Sequence, residues 1–99
     1  MVRVAVTELA KRDVRHILSD LNRRASYRIA ARYAAEFKSV FQRLAEFPAT
    51  GAPRPGLGPQ CRIALVLPYL VIYDFADDEV IVQRVLHGRR NVTRALIRR

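Results

Sequence analysis

The chain has 99 residues, enough for one hydrophobic core and too few for two domains. Half of it is hydrophobic (51%), which excludes global disorder, and no apolar run approaches the roughly 20 residues of a membrane span. A net charge of +9 points instead to something acidic as a partner: nucleic acid, an acidic protein or a charged surface.

Val2–Val6 alternates, with Val2, Val4 and Val6 on one side, and reads as a short strand with one better-buried face. Thr7 is placed to cap a helix from Glu8 to about Asn22, whose stripe is Leu9, Val14, Ile17, Leu18 and Leu21. Ser26 caps a longer helix, Tyr27–Glu46, with Ala30, Tyr33, Ala34, Phe37, Phe41 and Leu44 at spacings of three and four. The short Arg23–Ser26 connection predicts an antiparallel helical hairpin, and Pro48 stops the second helix.

Ala49–Pro59 holds three Gly and three Pro and is read as a loop. Three strands follow at Cys61–Leu67, Tyr69–Phe75 and Glu79–Leu86, joined by a turn at Pro68 and a polar turn at Ala76-Asp77-Asp78. Connections this short favour an antiparallel meander. Asn91–Arg99 is expected to form a short, frayed, basic helix with Val92, Leu96 and Ala95 inward. A lone strand is unstable, so Val2–Val6 is expected to join the meander. The result is an α+β domain spanning residues 1–99: a helical hairpin on one face of a small, mainly antiparallel four-stranded sheet, order β-α-α-β-β-β, with a C-terminal helix. The opposite face is expected to stay partly open and to carry Arg.

Sixteen of the 18 basic residues are Arg. Guanidinium forks match carboxylate or phosphate in two-point contacts. A GC-rich genome accounts equally well for Arg over Lys, but not for the net charge. Cys61 has no intramolecular partner and fits a small core residue in a reducing cytoplasm. The N-terminus lacks the charged-then-apolar pattern of a secretion signal, so the expected location is cytoplasmic. No metal-ligand cluster and no Gly-rich phosphate loop after a strand is visible, so neither metal nor cofactor is expected.

Several segments, taken together, resemble the RelE/ParE toxin superfamily, and the ParE branch most closely. They are Asp13 with Ile17, the Leu44…Pro48…Gly51 exit from the second helix, Arg54, Arg62, Tyr69-Leu-Val-Ile-Tyr73, and Arg84-Val-Leu-His-Gly-Arg-Arg-Asn91. The resemblance implies the toxin of a type II toxin–antitoxin pair. Its expected partners are a cognate, acidic, ParD-like antitoxin and DNA gyrase as target. Operator DNA would be reached only through the antitoxin complex, and no membrane is involved. The RelE side of the superfamily implies the alternative, a ribosome-dependent messenger endoribonuclease.

The nuclease alternative needs an acid, a base and cations for the phosphorane. Arg62, Arg84 and His87 are the candidates, but no Tyr or Lys follows the last strand. In a regular strand Arg84 and His87 also point to opposite faces. The docking alternative needs no chemistry; its candidate target-contact residues are Arg84, His87, Arg89, Arg90 and Arg94. Antitoxin contacts are expected at Leu9, Tyr27, Tyr33 and Phe47, with core packing the competing fate of Tyr33. The competing readings elsewhere are a strand-end hydrogen bond for His87, a salt bridge to Asp74 or Glu79 for Arg84, and a solvated tail for Arg89, Arg90, Arg94, Arg98 and Arg99.

Overall fold

The computed structural model describes residues 1–98; Arg99 lies outside them. The chain runs β1 (Arg3–Val6), α1 (Glu8–Arg24), α2 (Tyr27–Glu46), β2 (Ala52–Pro53), a 3₁₀ turn (Pro55–Leu57), β3 (Cys61–Val66), β4 (Tyr69–Ala76), β5 (Glu79–His87) and α3 (Arg94–Ile97). Both helix starts follow from the chain. Thr7 Oγ1 accepts from Ala10 N at 3.0 Å, and Ser26 Oγ accepts from Ile29 N at 3.1 Å. No helix of the described residues is long and apolar enough to cross a membrane.

The sheet order is β1-β5-β4-β3-β2. Strands β2 to β5 pair antiparallel, and β1 pairs parallel with β5. Asp77 and Asp78, at φ 53° and 57°, make the tight β4–β5 turn in the backbone region that short polar residues tolerate. The helical hairpin covers one face. Phe37, Val40 and Leu44 of α2 pack there with Val71, Tyr73, Val80, Val82 and Val85, joined by partly buried Val14, Ile17 and Leu18 of α1.

Two expectations are corrected. The sheet has a fifth strand, because the Pro/Gly loop is pinned alongside β3. Arg62 Nη1 donates to Ala49 O and Gly51 O at 2.9 and 2.8 Å. Tyr73 Oη donates to Pro48 O at 2.7 Å and accepts from Gly51 N at 2.9 Å. The held segment brings Ala52 and Pro53 opposite Ile63 and Arg62. Pro53 is tolerated because it sits on an edge, where its missing N–H breaks no ladder. Gly51 is required at the contact, since a Cβ there would lie 2.5 Å from the Tyr73 hydroxyl.

The second correction concerns the face away from the hairpin. It is covered over its centre by the tail, while Leu65 at its end stays 58% exposed. Leu57 of the 3₁₀ turn and Ile97 of α3, with Val92 and Leu96, cover Cys61, Ile63, Ile72 and Leu86. The tail therefore forms half of a second, smaller core.

Strand β5 joins everything. Its pairing with β4 slips between Ile72 and Tyr73: Ile72 faces Arg84 and Tyr73 faces Val82, so Gln83 is the extra residue of a bulge. β1 covers the outer edge of β5 only as far as Val82. There Thr7 N donates to Val82 O and Thr7 Oγ1 to Gln83 O, and the chain turns into α1. The next exposed strand donor, Val85 N, is taken by Asp13 Oδ2 of α1 at 3.0 Å. The same carboxylate receives Arg84 in a two-point grip, Nε–Oδ2 at 2.7 Å and Nη2–Oδ1 at 2.9 Å. Arg84 Nη1 reaches Leu96 O of α3 at 2.9 Å. One side chain thus ties α1, β5 and the tail.

Replacing Asp13 by Ala would strand a guanidinium that is only 5% exposed and would orphan the Val85 N–H. The expected cost is about 3–5 kcal/mol of unfolding free energy by urea titration, with Asp13→Asn costing less. A loss below about 1 kcal/mol would show that the pair does not hold the fold.

Candidate functional site

The structure sorts the arginines into those that build the fold and those that face outward. Arg84 is of the first kind. Its partner is Asp13, not Asp74 or Glu79. Hydrogen bonds donated to Asp13 raise its pKa against the opposing effect of burial. It is unavailable as a target contact or as a catalytic cation, which corrects both readings. Arg62 holds the loop carbonyls described above and is likewise engaged. The bulge lies at Gln83, upstream of Arg84, so it does not turn Arg84 toward His87. Arg62, Arg84 and His87 do not converge on a common point.

Arg98 departs from the expected frayed tail. Its guanidinium grips Asp74 through both terminal nitrogens, Nη2–Oδ1 at 2.6 Å, and its Nε donates to Leu57 O at 3.1 Å. Gly58 lies under it at φ +153°, where a Cβ would collide with the guanidinium. Hydrogen bonding to Asp74 raises the Arg98 pKa, again against burial. Asp74 also accepts from Gln83 Nε2 at 3.1 Å. The tail is therefore latched at Arg98 and plugged at Ile97, which is 4% exposed.

Three of the expected target contacts remain free. Arg89, Arg90 and Arg94 are exposed and have no carboxylate partner among the described residues. The turn that carries the first two is rigidly made. Gly88 N donates to Pro68 O at 2.8 Å, Arg90 N to His87 O at 3.0 Å, and Arg89 N to His87 Nδ1 at 3.0 Å. His87 is thus a half-buried strand-end residue, edge-on to Tyr69 with ring centroids 5.6 Å apart.

The four residues expected to meet an antitoxin do not share one groove. Tyr27 and Phe47 are 79% and 58% exposed, but they flank a 20-residue helix and lie about 30 Å apart. Leu9 is partly buried on α1. Tyr33 packs on the hairpin core, donates to Leu67 O at 3.1 Å and meets Tyr69 edge-on.

A continuous groove exists elsewhere. Because β2 is two residues long, β3 has an open edge beyond Ile63. Backbone groups alternate along a strand, so after Cys61 and Ile63 it is Leu65 that points its N–H and C=O outward. Leu65 and Leu67 are 58% and 72% exposed. Between this edge and the C-terminal half of α2 lies a cleft of about 510 Å³, lined by Val40, Arg43, Arg54, Ala64, Leu65 and Leu70. A second cleft of about 440 Å³ continues it past Glu36 toward Tyr33 and Leu67. Periodicity did not reveal it. The available signal was a third strand carrying apolar residues at both alternate positions to its very end.

Comparison with known proteins agrees with the fold. The family model described as "ParE toxin of type II toxin-antitoxin system, parDE" matches residues 4–92. "Toxin ParE3" of Caulobacter vibrioides is 31% identical over 96 residues, covering 97% of this chain and 96% of the relative. A solved chain titled "Chromosomal ParDE TA system from P. aeruginosa" superposes with a TM-score of 0.73 at 18% identity, covering 88% of this chain and 96% of that one. At that identity the superposition speaks for the fold.

Tyr73→Phe removes the acceptor of Gly51 N and the donor to Pro48 O, and is expected to cost about 1–3 kcal/mol in thermal or urea melts. Burial raises the Tyr73 pKa, opposed by the Gly51 hydrogen bond and by Arg62. Its neutral phenol therefore contributes stability that is complete below about pH 10 and lost as pH rises through the higher folded-state value. The parent chain should weaken above about pH 10, and the variant should weaken less steeply. Tyr69 and Cys61, also raised chiefly by burial, supply the alkaline loss common to both.

Proposed function

The chain belongs to the ParE toxin family of type II toxin–antitoxin systems, and from that membership we propose that it inhibits DNA gyrase by docking and is neutralised by a cognate, acidic, ParD-like antitoxin. The site of action is the cytoplasm. The expected consequences are DNA damage, growth arrest and, for a plasmid-borne module, plasmid maintenance.

The observation that carries docking over catalysis is the fate of the guanidinium groups. Arg62, Arg84 and Arg98 are bound internally, whereas Arg89, Arg90 and Arg94 stand exposed at and beyond the end of β5. Outward forks without internal partners suit acidic side chains or phosphate on a large target, with affinity that falls as salt rises. The endoribonuclease alternative would require Arg62, Arg84 and His87 to surround one phosphate, and each is held elsewhere. The β3 edge and its clefts are the place we assign to the antitoxin. Leu65, Leu67 and Leu70 would receive apolar anchors, an added strand would pair with Leu65, and Arg43 and Arg54 would meet its acidic residues.

Purified chain with gyrase and supercoiled plasmid is expected to accumulate broken DNA, while the same chain with translating ribosomes leaves messenger intact; the reverse outcome refutes the proposal. Arg89→Gln with Arg90→Gln should reduce the breaks about tenfold or more, from the loss of two charge-assisted contacts, while antitoxin co-purification persists. Leu65→Glu should do the opposite, releasing the antitoxin and sparing gyrase inhibition. Truncating Asn91–Arg99 is a poorer test, because it also removes Ile97 and Arg98 from the second core.

A further inference from the structure

A third cleft, about 440 Å³ in volume, lies between the second half of α1 and the end of β5, away from the β3 edge. His16, Ser19, Asp20 and Arg23 contribute from α1, Tyr69 from β4 and His87 from β5. The helical residues recur at three- and four-residue steps, so they share one face of α1. His87 is fixed in orientation. Its Nδ1 accepts from Arg89 N at 3.0 Å, so in the neutral ring the proton sits on Nε2, which remains available as a donor. Tyr69, 9% exposed, braces that imidazole edge-on from below.

The charge balance of the cleft favours an anion. Its one carboxylate, Asp20, is shared by Arg23 at 3.2 Å and Arg24 at 2.9 Å, so that group of three carries a net positive charge. Arg89 and Arg90 are exposed on the adjoining turn. From α2, Tyr33 meets Tyr69 edge-on, and its hydroxyl proton is given to Leu67 O. Apart from Asp20, the polar groups that line the cleft are therefore guanidinium, imidazole and hydroxyl.

We propose that this cleft binds the phosphodiester backbone of a single-stranded polynucleotide, with the His87 ring as a platform for a base. The donor set consists of guanidinium, imidazole and hydroxyl groups, the kinds that contact phosphate. Imidazole also stacks on unpaired bases. An acidic peptide fits less well, because Ile17 is the one aliphatic residue of the lining and offers no anchor pocket. A platform for an unpaired base requires bases free of a duplex, so a flexible single strand is the ligand class. The site does not depend on the gyrase reading. It is built on α1, Tyr69 and His87, and would operate on any polynucleotide presented there.

The test is fluorescence anisotropy of labelled dT12 and rU12 with the isolated chain at two salt concentrations. Binding of either probe that weakens with salt is expected, and comparison of the two identifies DNA or RNA as the preferred source. His16→Gln with His87→Gln should weaken binding about fivefold or more. Lys38→Gln, a single charge lost from the exposed face of α2, should leave the affinity within about twofold. If the double variant misfolds by circular dichroism, His16→Gln alone serves, since His16 is an exposed helical residue. The proposal is overturned if neither probe binds, if the His variants behave like Lys38→Gln, or if an oligoglutamate of equal charge competes as well as unlabelled dT12.

Discussion

The ion pair between Asp13 and Arg84 is the constraint on which the arrangement depends. A strand edge left bare by a four-residue β1 would be open to solvent or to another chain. Asp13 closes it by accepting from the backbone of β5 while receiving the side chain of the preceding residue. Arg84 then extends through the sheet edge to the carbonyl of Leu96. The hairpin layer, the sheet and the tail layer are joined at a single guanidinium. Burying such a group is costly unless its nitrogens are partnered, and here Nε, Nη1 and Nη2 each have an acceptor.

Arginine has two separate employments in this molecule, and composition alone could not distinguish them. A count of 18 basic against nine acidic residues gives the net charge but not its placement. The acidic residues that lie inward, Asp13 and Asp74, each capture one arginine from a distant part of the chain. Most of the remaining positive charge is left on the outside, concentrated on α1, on the turn after β5 and along the edge beside α2. The surface potential is thus shaped by which few arginines are taken in.

Much of the fold was legible in the sequence. The hydrophobic stripe and the caps at Thr7 and Ser26 place both long helices, and α2 falls at Tyr27–Glu46. The meander follows from apolar runs broken at Pro68 and Asp77-Asp78. What escaped reading depends on contacts between segments far apart in the chain. Nothing local marks Ala52–Pro53 as a strand; it becomes one because Arg62 and Tyr73 hold its flank. Nothing local marks the tail as core, because its anchoring residues, Ile97 and Arg98, sit within a basic stretch. The site reading failed at Arg84 for the same reason: its partner lies 71 residues away. At Arg89 and Arg90 a turn leaves both side chains exposed, as a Gly-containing break after a strand suggests.

Cys61 sits beneath the tail, 3% exposed and packed with Leu57 and Ile97. Burial also raises its pKa, so the thiolate needed for alkylation is scarce while the tail is seated. Both protections lapse together when Ile97 lifts away. Since it is the sole thiol of the chain, the rate at which a maleimide or disulfide reagent modifies it is a clock for how often the C-terminal segment undocks. That clock needs no engineered label and keeps running in a complex.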